Sequence, residues 1–421
     1  MLVFQKTPGL LPVALAMLLV LAAMAAAGTS WQADEELVRR RSASRSEVNW
    51  DEAKVPEYEL PNPLERADGA LVSSPQEWPV RRAEIMELFR THMFGRRPPA
   101  PQALDFKLIA EDPAALGGAA TLRRIDIISR QDRRTHRFEL ILFVPNAVKT
   151  PAPAFLLINN RPSENIDPTR ETKSPFWPVE AMITRGYAIA AFGYGQLAPD
   201  DPKTFRDGVI RLFEGETDAR PADAGMALAA WGWGASRAMD YFQTDPRIDA
   251  KRVAVVGHSR GGKAALWAGA EDDRFALVVS NGSGCGGAAL SRRRLGETVA
   301  IINDKFPHWF CDNFKRFNHR ENELPFDQHM LIALMAPRAV YVASGSEDLW
   351  ADPRGEFLAL AGASGVYGLW GLTPIAPDDM PPVNRPVTAA LRGYHIHEGP
   401  HNLTEWDWMR FADFADGLWP R

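Results

Sequence analysis

Gly257-His258-Ser259-Arg260-Gly261 sets a serine between small residues, with an apolar run, Arg252–Val256, before it and a Gly-rich helix start after it. That order predicts a tight strand–turn–helix elbow holding Ser259 in a strained, exposed position. Gly257 and Gly261 then have a steric reason to be there. The chemistry this arrangement suits is nucleophilic attack on a carbonyl. The helix start would aim backbone N–H groups at the developing oxyanion.

A serine hydroxyl needs a base, and the base needs an orienting carboxylate. In the α/β-hydrolase fold, where such elbows occur, the order is Ser, acid, His. Of nine histidines, that order removes His92, His136 and His258, and His308, His319 and His329 lie before or within the helix leading to the next strand. His395 and His397 alternate within one predicted strand, which suits packing or structural pairing. His401 sits in the loop Glu398-Gly399-Pro400-His401-Asn402 and is the expected base. The acid should follow a late strand. Ala339–Ala343 runs into Ser344-Gly345-Ser346-Glu347-Asp348, which makes Asp348 the expected acid, with its neighbour Glu347 as an alternative for the role. Asp352 is the next candidate for the acid, and is expected instead to cap the helix after Pro353.

Gly-His-Ser-Arg-Gly-Gly-Lys at 257–263 resembles the elbow of the glucuronoyl esterases, carbohydrate esterase family 15. Trp231-Gly232-Trp233-Gly234-Ala235-Ser236-Arg237, Ser283-Gly284-Cys285-Gly286-Gly287-Ala288 with Arg292-Arg293, Glu347–Pro353 and Gly393-Tyr394-His395-Ile396 agree with it. The resemblance spans about residues 80–420 and is closer to bacterial than to fungal members. It implies Ser259 as nucleophile, His401 as base and Arg260 at the oxyanion. It further implies that Lys263 and Glu297 meet sugar hydroxyls and that Trp350 packs beside the sugar ring. The substrate it implies is an ester of 4-O-methyl-glucuronic acid on glucuronoxylan with a lignin alcohol. Many members place a Glu as the acid shortly after the strand that follows the elbow. Here that position reads Gly282, so the acid must come from Asp348. Rival readings are another carbohydrate esterase, such as one removing acetyl groups from xylan, a serine peptidase of the same fold, or a non-catalytic carbohydrate-binding relative.

The elements that must position these residues are legible as strands alternating with helices. Short apolar runs at Ala154–Ile158, Tyr187–Phe192, Arg252–Val256, Ala276–Ser280 and Ala339–Ala343 read as strands buried on both faces. Ala120–Ile128 and Phe138–Val144 alternate, as half-buried strands do. Helices are expected at Arg81–Phe94, Val179–Arg185, Ala224–Phe242, Gly261–Gly269, Met330–Met335, Pro353–Ala361 and Leu403–Leu418, and a last strand at Gly393–His397. A Gly/Pro-rich loop is expected over about 362–392. The fold class is α/β, a three-layer αβα sandwich around a mostly parallel sheet.

With 421 residues, 46% hydrophobic and 24% charged, a large core is possible. The net charge of −5, with no basic or acidic run, does not favour a nucleic-acid partner. Lys6, the apolar Leu10–Met24 and Ala25-Ala26-Ala27 form a signal-peptide pattern over 1–27. An exported, soluble protein follows, periplasmic or secreted, outside the membrane after cleavage and expected as a monomer. Residues 28–80 read as an extended lead-in and 81–421 as the catalytic domain. Neither metal nor cofactor is expected. Export permits a disulfide between Cys285 and Cys311, the only cysteines. A bridge is the expectation, with two buried thiols as the alternative.

Overall fold

The strands that carry the site are apolar end to end because both of their faces are covered. In the computed structural model, which describes residues 30–216, 219–378 and 380–419, ten strands form one sheet. They are β1 Ala103–Ala115, β2 Ala120–Gln131, β3 Arg134–Pro145, β4 Ala152–Asn159, β5 Ala188–Gly193, β6 Ile248–His258, β7 Leu277–Asn281, β8 Ala339–Gly345, β9 Val387–Ala389 and β10 Arg392–His397. Their order is β1-β2-β3-β5-β4-β6-β7-β8-β10-β9. From β5 to β10 neighbours are parallel, and β1, β2, β3 and β9 are joined antiparallel.

Alternate residues of the central strands feed two apolar layers. Leu156, Ile158, Val253, Val255, Val278, Val340 and Val342 pack towards the helices Ala227–Phe242, Arg260–Glu271 and Pro353–Gly362. Phe155, Leu157, Ala254, Val256, Leu277, Val279 and Tyr341 pack against Val179–Thr184 and the terminal helix Glu405–Leu418. This is the three-layer α/β-hydrolase arrangement. The register aligns the carboxyl ends: His258 pairs with Asn281, Asn281 with Ala343, and His397 with Gly345. Loops leaving these strands therefore converge at one edge of the sheet, where ligands bind in open α/β folds.

Three local features differ from the sequence expectations. β1 is absent from them: it is an edge strand, largely exposed, so nothing enforces apolar alternation along it. Residues 35–44 of the lead-in are helical, with Asp34 capping through Leu37 N–H at 2.7 Å. Trp31, Leu37, Val48, Trp50 and Val72 of that segment are buried in the main core. The loop at 362–392 contains a short helix, Ser364–Gly368, and β9.

Cys285 and Cys311 are not bridged; both are free and buried. Each is fixed by its own surroundings, Cys285 in the apolar core and Cys311 with its thiol 3.7 Å from the Thr91 carbonyl. Burial raises both thiols above the usual range, Cys311 to about 11. The proposed leader, 1–27, lies outside the described residues, and among the described residues no helix is long and apolar enough to cross a membrane.

Candidate active site

Ser259 adopts φ 57°, ψ −125°, between the end of β6 and the helix Arg260–Glu271. A non-glycine residue holds this region only when its surroundings over-determine it. Here the close packing does so: a Cβ on Gly257 would lie 1.9 Å from the Gly261 carbonyl oxygen. The Ser259 N–H donates to the Asn281 carbonyl at 2.8 Å, tying the elbow to β7.

His401 and Asp348 meet above the ends of β8 and β10. His401 Nδ1 is 2.5 Å from Asp348 Oδ2. Asp348 is buried and the His401 ring is exposed. Their loops are stitched together by Glu347 N–H to Gly399 O at 2.9 Å and Gly399 N–H to Ser346 Oγ at 3.0 Å. On the other side of His401 stands His258, ring centroids 4.4 Å apart. His258 is buried, and burial holds it well below the usual imidazole range, so it is neutral. Its Nδ1 faces Asn281 Oδ1 at 2.6 Å.

Arg260 leaves the elbow into an aromatic slot, its guanidinium carbon 4.8 Å from the Trp309 ring centroid and 5.3 Å from that of Phe306. One guanidinium nitrogen is bound to Asp200. Asp200 also accepts from Trp309 Nε1 at 2.7 Å and Tyr194 Oη at 2.9 Å, and His308 Nε2 lies 2.8 Å from it. Burial pushes this carboxyl up, but His308, Trp309 and Arg260 outweigh it and hold Asp200 well below the carboxylate range. Arg260 Nε is buried and has no protein partner. An anchored guanidinium with an unused donor is suited to meeting a developing negative charge.

Lys263, one helical turn on from Ser259, is buried and donates from Nζ to the Ser283 carbonyl at 2.5 Å. Burial lowers its pKa, opposed by the charge of Glu297. Glu297 is buried in turn; burial raises it, and Lys263, Lys305 and a hydrogen bond with Trp350 oppose that. The partly exposed Trp350 packs on Trp50 of the lead-in, centroids 5.7 Å apart, with the Arg45 guanidinium 4.6 Å from its centroid. Of the residues expected from the sequence, the structure pairs His401 with Asp348, sets His258, the neighbour of Ser259, against His401, and brings Lys263, Glu297 and Trp350 together.

The sequence profile described as glucuronyl esterase, fungi, matches residues 127–371. A carbohydrate esterase from an unknown prokaryotic organism is 40% identical over 427 residues, covering 94% of this chain and 97% of that protein. The solved structure of a glucuronoyl esterase from Solibacter usitatus superposes with a TM-score of 0.82 at 39% identity, over 87% of this chain and 100% of that one. The 4-O-methyl-glucuronoyl methylesterase of Cerrena unicolor is 28% identical over 74% of this chain and 63% of its own length.

The chain belongs to the glucuronoyl esterase family. It is a carboxylic ester hydrolase.

Two carboxylates of this glucuronoyl esterase family member, the half-buried Asp200 and the buried Glu356, escaped the sequence reading. Asp200 lies past the end of β5, with no spacing that links it to Arg260 sixty positions on. Glu356, on the helix after Asp352, accepts from Ser283 N–H at 2.7 Å and Gly284 N–H at 2.9 Å, fixing the turn beside His401. Asp352 caps that helix as expected, accepting from Gly355 N–H at 2.9 Å.

Proposed function

We propose that this esterase hydrolyses esters between the carboxyl group of 4-O-methyl-glucuronic acid on glucuronoxylan and lignin alcohols. The observation that carries this reading is the strained Ser259 elbow, with its neighbour His258 packed on the 2.5 Å His401–Asp348 pair, together with the buried Lys263–Glu297 pair beside Trp350. Ser259 Oγ attacks the uronoyl carbonyl while His401 takes its proton. Asp348 holds the imidazole tautomer and stabilises the imidazolium. The tetrahedral oxyanion is met by Arg260, whose unused Nε–H lies in a water-poor slot. His401 then returns the proton to the departing alkoxide, leaving a uronoyl-serine ester. Water, deprotonated by His401, attacks that ester and releases glucuronate and free Ser259.

Lys263 and Glu297 offer a donor and an acceptor to adjacent sugar hydroxyls, and Trp350 offers an apolar edge to the ring. No step needs a metal or cofactor. We read the protein as exported and acting as a monomer, the leader pattern at 1–27 supporting export. The test is hydrolysis of benzyl, allyl and methyl glucuronate esters by the parent and Ser259→Ala. Turnover by the parent and none by the variant is the expected result. Turnover persisting in Ser259→Ala, or a parent that acts on acetylated xylan and not on glucuronates, sinks the reading.

A further inference from the structure

Beneath the His401 loop, one carboxylate serves two histidines. Asp407 Oδ1 lies 2.7 Å from His395 Nε2 and 2.9 Å from His397 Nδ1. Asp407 Oδ2 accepts from Thr404 N–H at 2.6 Å and Thr404 Oγ1 at 2.8 Å, closing the cap of the terminal helix. All three residues are buried. Their ligand atoms are close enough together for a metal ion, but every one of those atoms already has a hydrogen-bond partner.

The partners fix the protons. His395 Nε2 donates to Asp407, and its Nδ1, 3.0 Å from Tyr341 Oη, accepts from that hydroxyl, so His395 is satisfied as a neutral ring. His397 differs. Its Nδ1 faces the Asp407 carboxylate and its Nε2 faces the Pro400 carbonyl oxygen at 3.2 Å. Both partners accept only. Either neutral tautomer would set a ring lone pair against an oxygen lone pair, at Asp407 or at Pro400. A ring with both nitrogens protonated satisfies both contacts and neutralises Asp407.

We propose that His397 is a buried imidazolium that positions the catalytic base, by donating to the carbonyl of Pro400, the residue directly before His401. The groups facing it agree. Burial pushes His397 down, but Asp407 outweighs this, Asp348 adds to it, and the net direction is upward. Burial, with His397 and Arg410, holds His395 down despite Asp407. Asp407 itself is held well below the usual range; burial opposes this and the two histidines prevail. Rising pH removes the His397 proton and turns an attraction at Pro400 into repulsion, moving the loop on which His401 rides. A positioning role of this kind alters the turnover step more than substrate binding.

Two measurements test it. Ring nitrogen-15 spectra of the wild-type protein near neutral pH should show both His397 nitrogens protonated and His395 neutral. In His397→Gln, kcat should fall about tenfold or more with KM within about twofold, and the alkaline limb of the kcat–pH profile should change. A neutral His397 ring in the spectrum overturns the proposal even if the variant fails to fold. So does wild-type kcat in His397→Gln with an unchanged pH profile. The kinetic arm rests on His401 being the base of the proposed esterase. If Ser259→Ala keeps its turnover, that assignment fails, while the spectrum still decides the state of His397.

Discussion

Gly282 stands directly against His401: a Cβ placed on it would lie 3.2 Å from Nδ1 and 3.6 Å from Asp348 Oδ2. Two backbone positions, after β7 and after β8, thus look at the same imidazole nitrogen, and in this chain the one after β8 carries the carboxylate. Asp348→Asn should lower kcat on methyl glucuronate by on the order of 10³–10⁴, through loss of the correct tautomer and of imidazolium stabilisation. Adding Gly282→Glu to that variant should recover about tenfold or more, because the new side chain starts beside Nδ1 and can turn its carboxylate back to it. Gly282 has φ +52°, so the added side chain costs about 1–2 kcal/mol of stability. No recovery in a folded double variant would mean that the second position cannot orient this histidine.

Asp200 and Arg260 make a second dependence. Arg260 is held at the elbow by its ion pair with Asp200 and by the rings of Trp309 and Phe306. Asp200→Ala should free the guanidinium and lower kcat by about 10²-fold, as loss of one oxyanion donor does. KM should change little, since the missing interaction belongs to the transition state. A large KM change at constant kcat would place Arg260 on the ground-state ester instead.

The elbow placement of Ser259 and the meeting of His401 with Asp348 were legible in the sequence because each residue follows an apolar strand at a loop whose position in the fold is set by chain order. The buried parallel strands were legible for the same reason: covered on both faces, they must be apolar throughout. β1 was not, because its largely exposed side chains are free to be anything. Asp200 and Glu356 were not, because their partners are backbone groups and side chains brought near only by the folded sheet. The expected bridge failed on a similar point. Cys285 and Cys311 are buried as free thiols, and the presence of two cysteines in a chain does not specify a bridge between them.

The thiols give a simple check. Reductant should leave the thermal midpoint unchanged, and an aromatic disulfide reagent should react with two thiols only after unfolding, since both are buried and burial keeps both protonated. A midpoint that falls on reduction would restore the bridge.

Burial lowers the pKa of His92, His258, His329 and His395 below 6.5. Between the folded values and 6.5 the unfolded chain binds more protons, so stability is complete above about pH 6.5 and falls as pH drops. Each such histidine contributes up to about 1.4 kcal/mol per pH unit. Urea midpoints should therefore fall from pH 7 to pH 5. His329→Gln should shallow that slope, since buried His329 donates only to the Pro61 carbonyl. A slope that does not change in the variant would remove His329 from the explanation.

Glu356 predicts the opposite sign. Burial raises its carboxyl to about 8, with Asp348 adding to the rise and the Ser344, Gly284 and Ser283 contacts opposing it. A neutral Glu356 still satisfies its neighbours: Oε1 accepts from the Ser283 and Gly284 N–H groups, and a protonated Oε2 donates to Ser344 Oγ, 2.6 Å away. In that form the Ser344 hydroxyl donates to Tyr394 Oη, 3.0 Å away, and Tyr394 Oη donates to the Pro353 carbonyl at 3.1 Å. Between its unfolded value near 4.5 and about 8 the folded state holds the extra proton, so this group's contribution to stability declines as pH rises through that window. Glu356→Gln reproduces the neutral pattern, with its amide donating to Ser344. It should keep kcat within about threefold and gain stability relative to the parent on going from pH 6 to pH 8, where the difference cancels the histidines common to both. Glu356→Ala leaves two buried N–H groups without a partner and should cost about 2–6 kcal/mol at every pH. If Glu356→Gln is as damaging as Glu356→Ala, the carboxylate is ionised in the folded protein and the turn beside His401 depends on its charge.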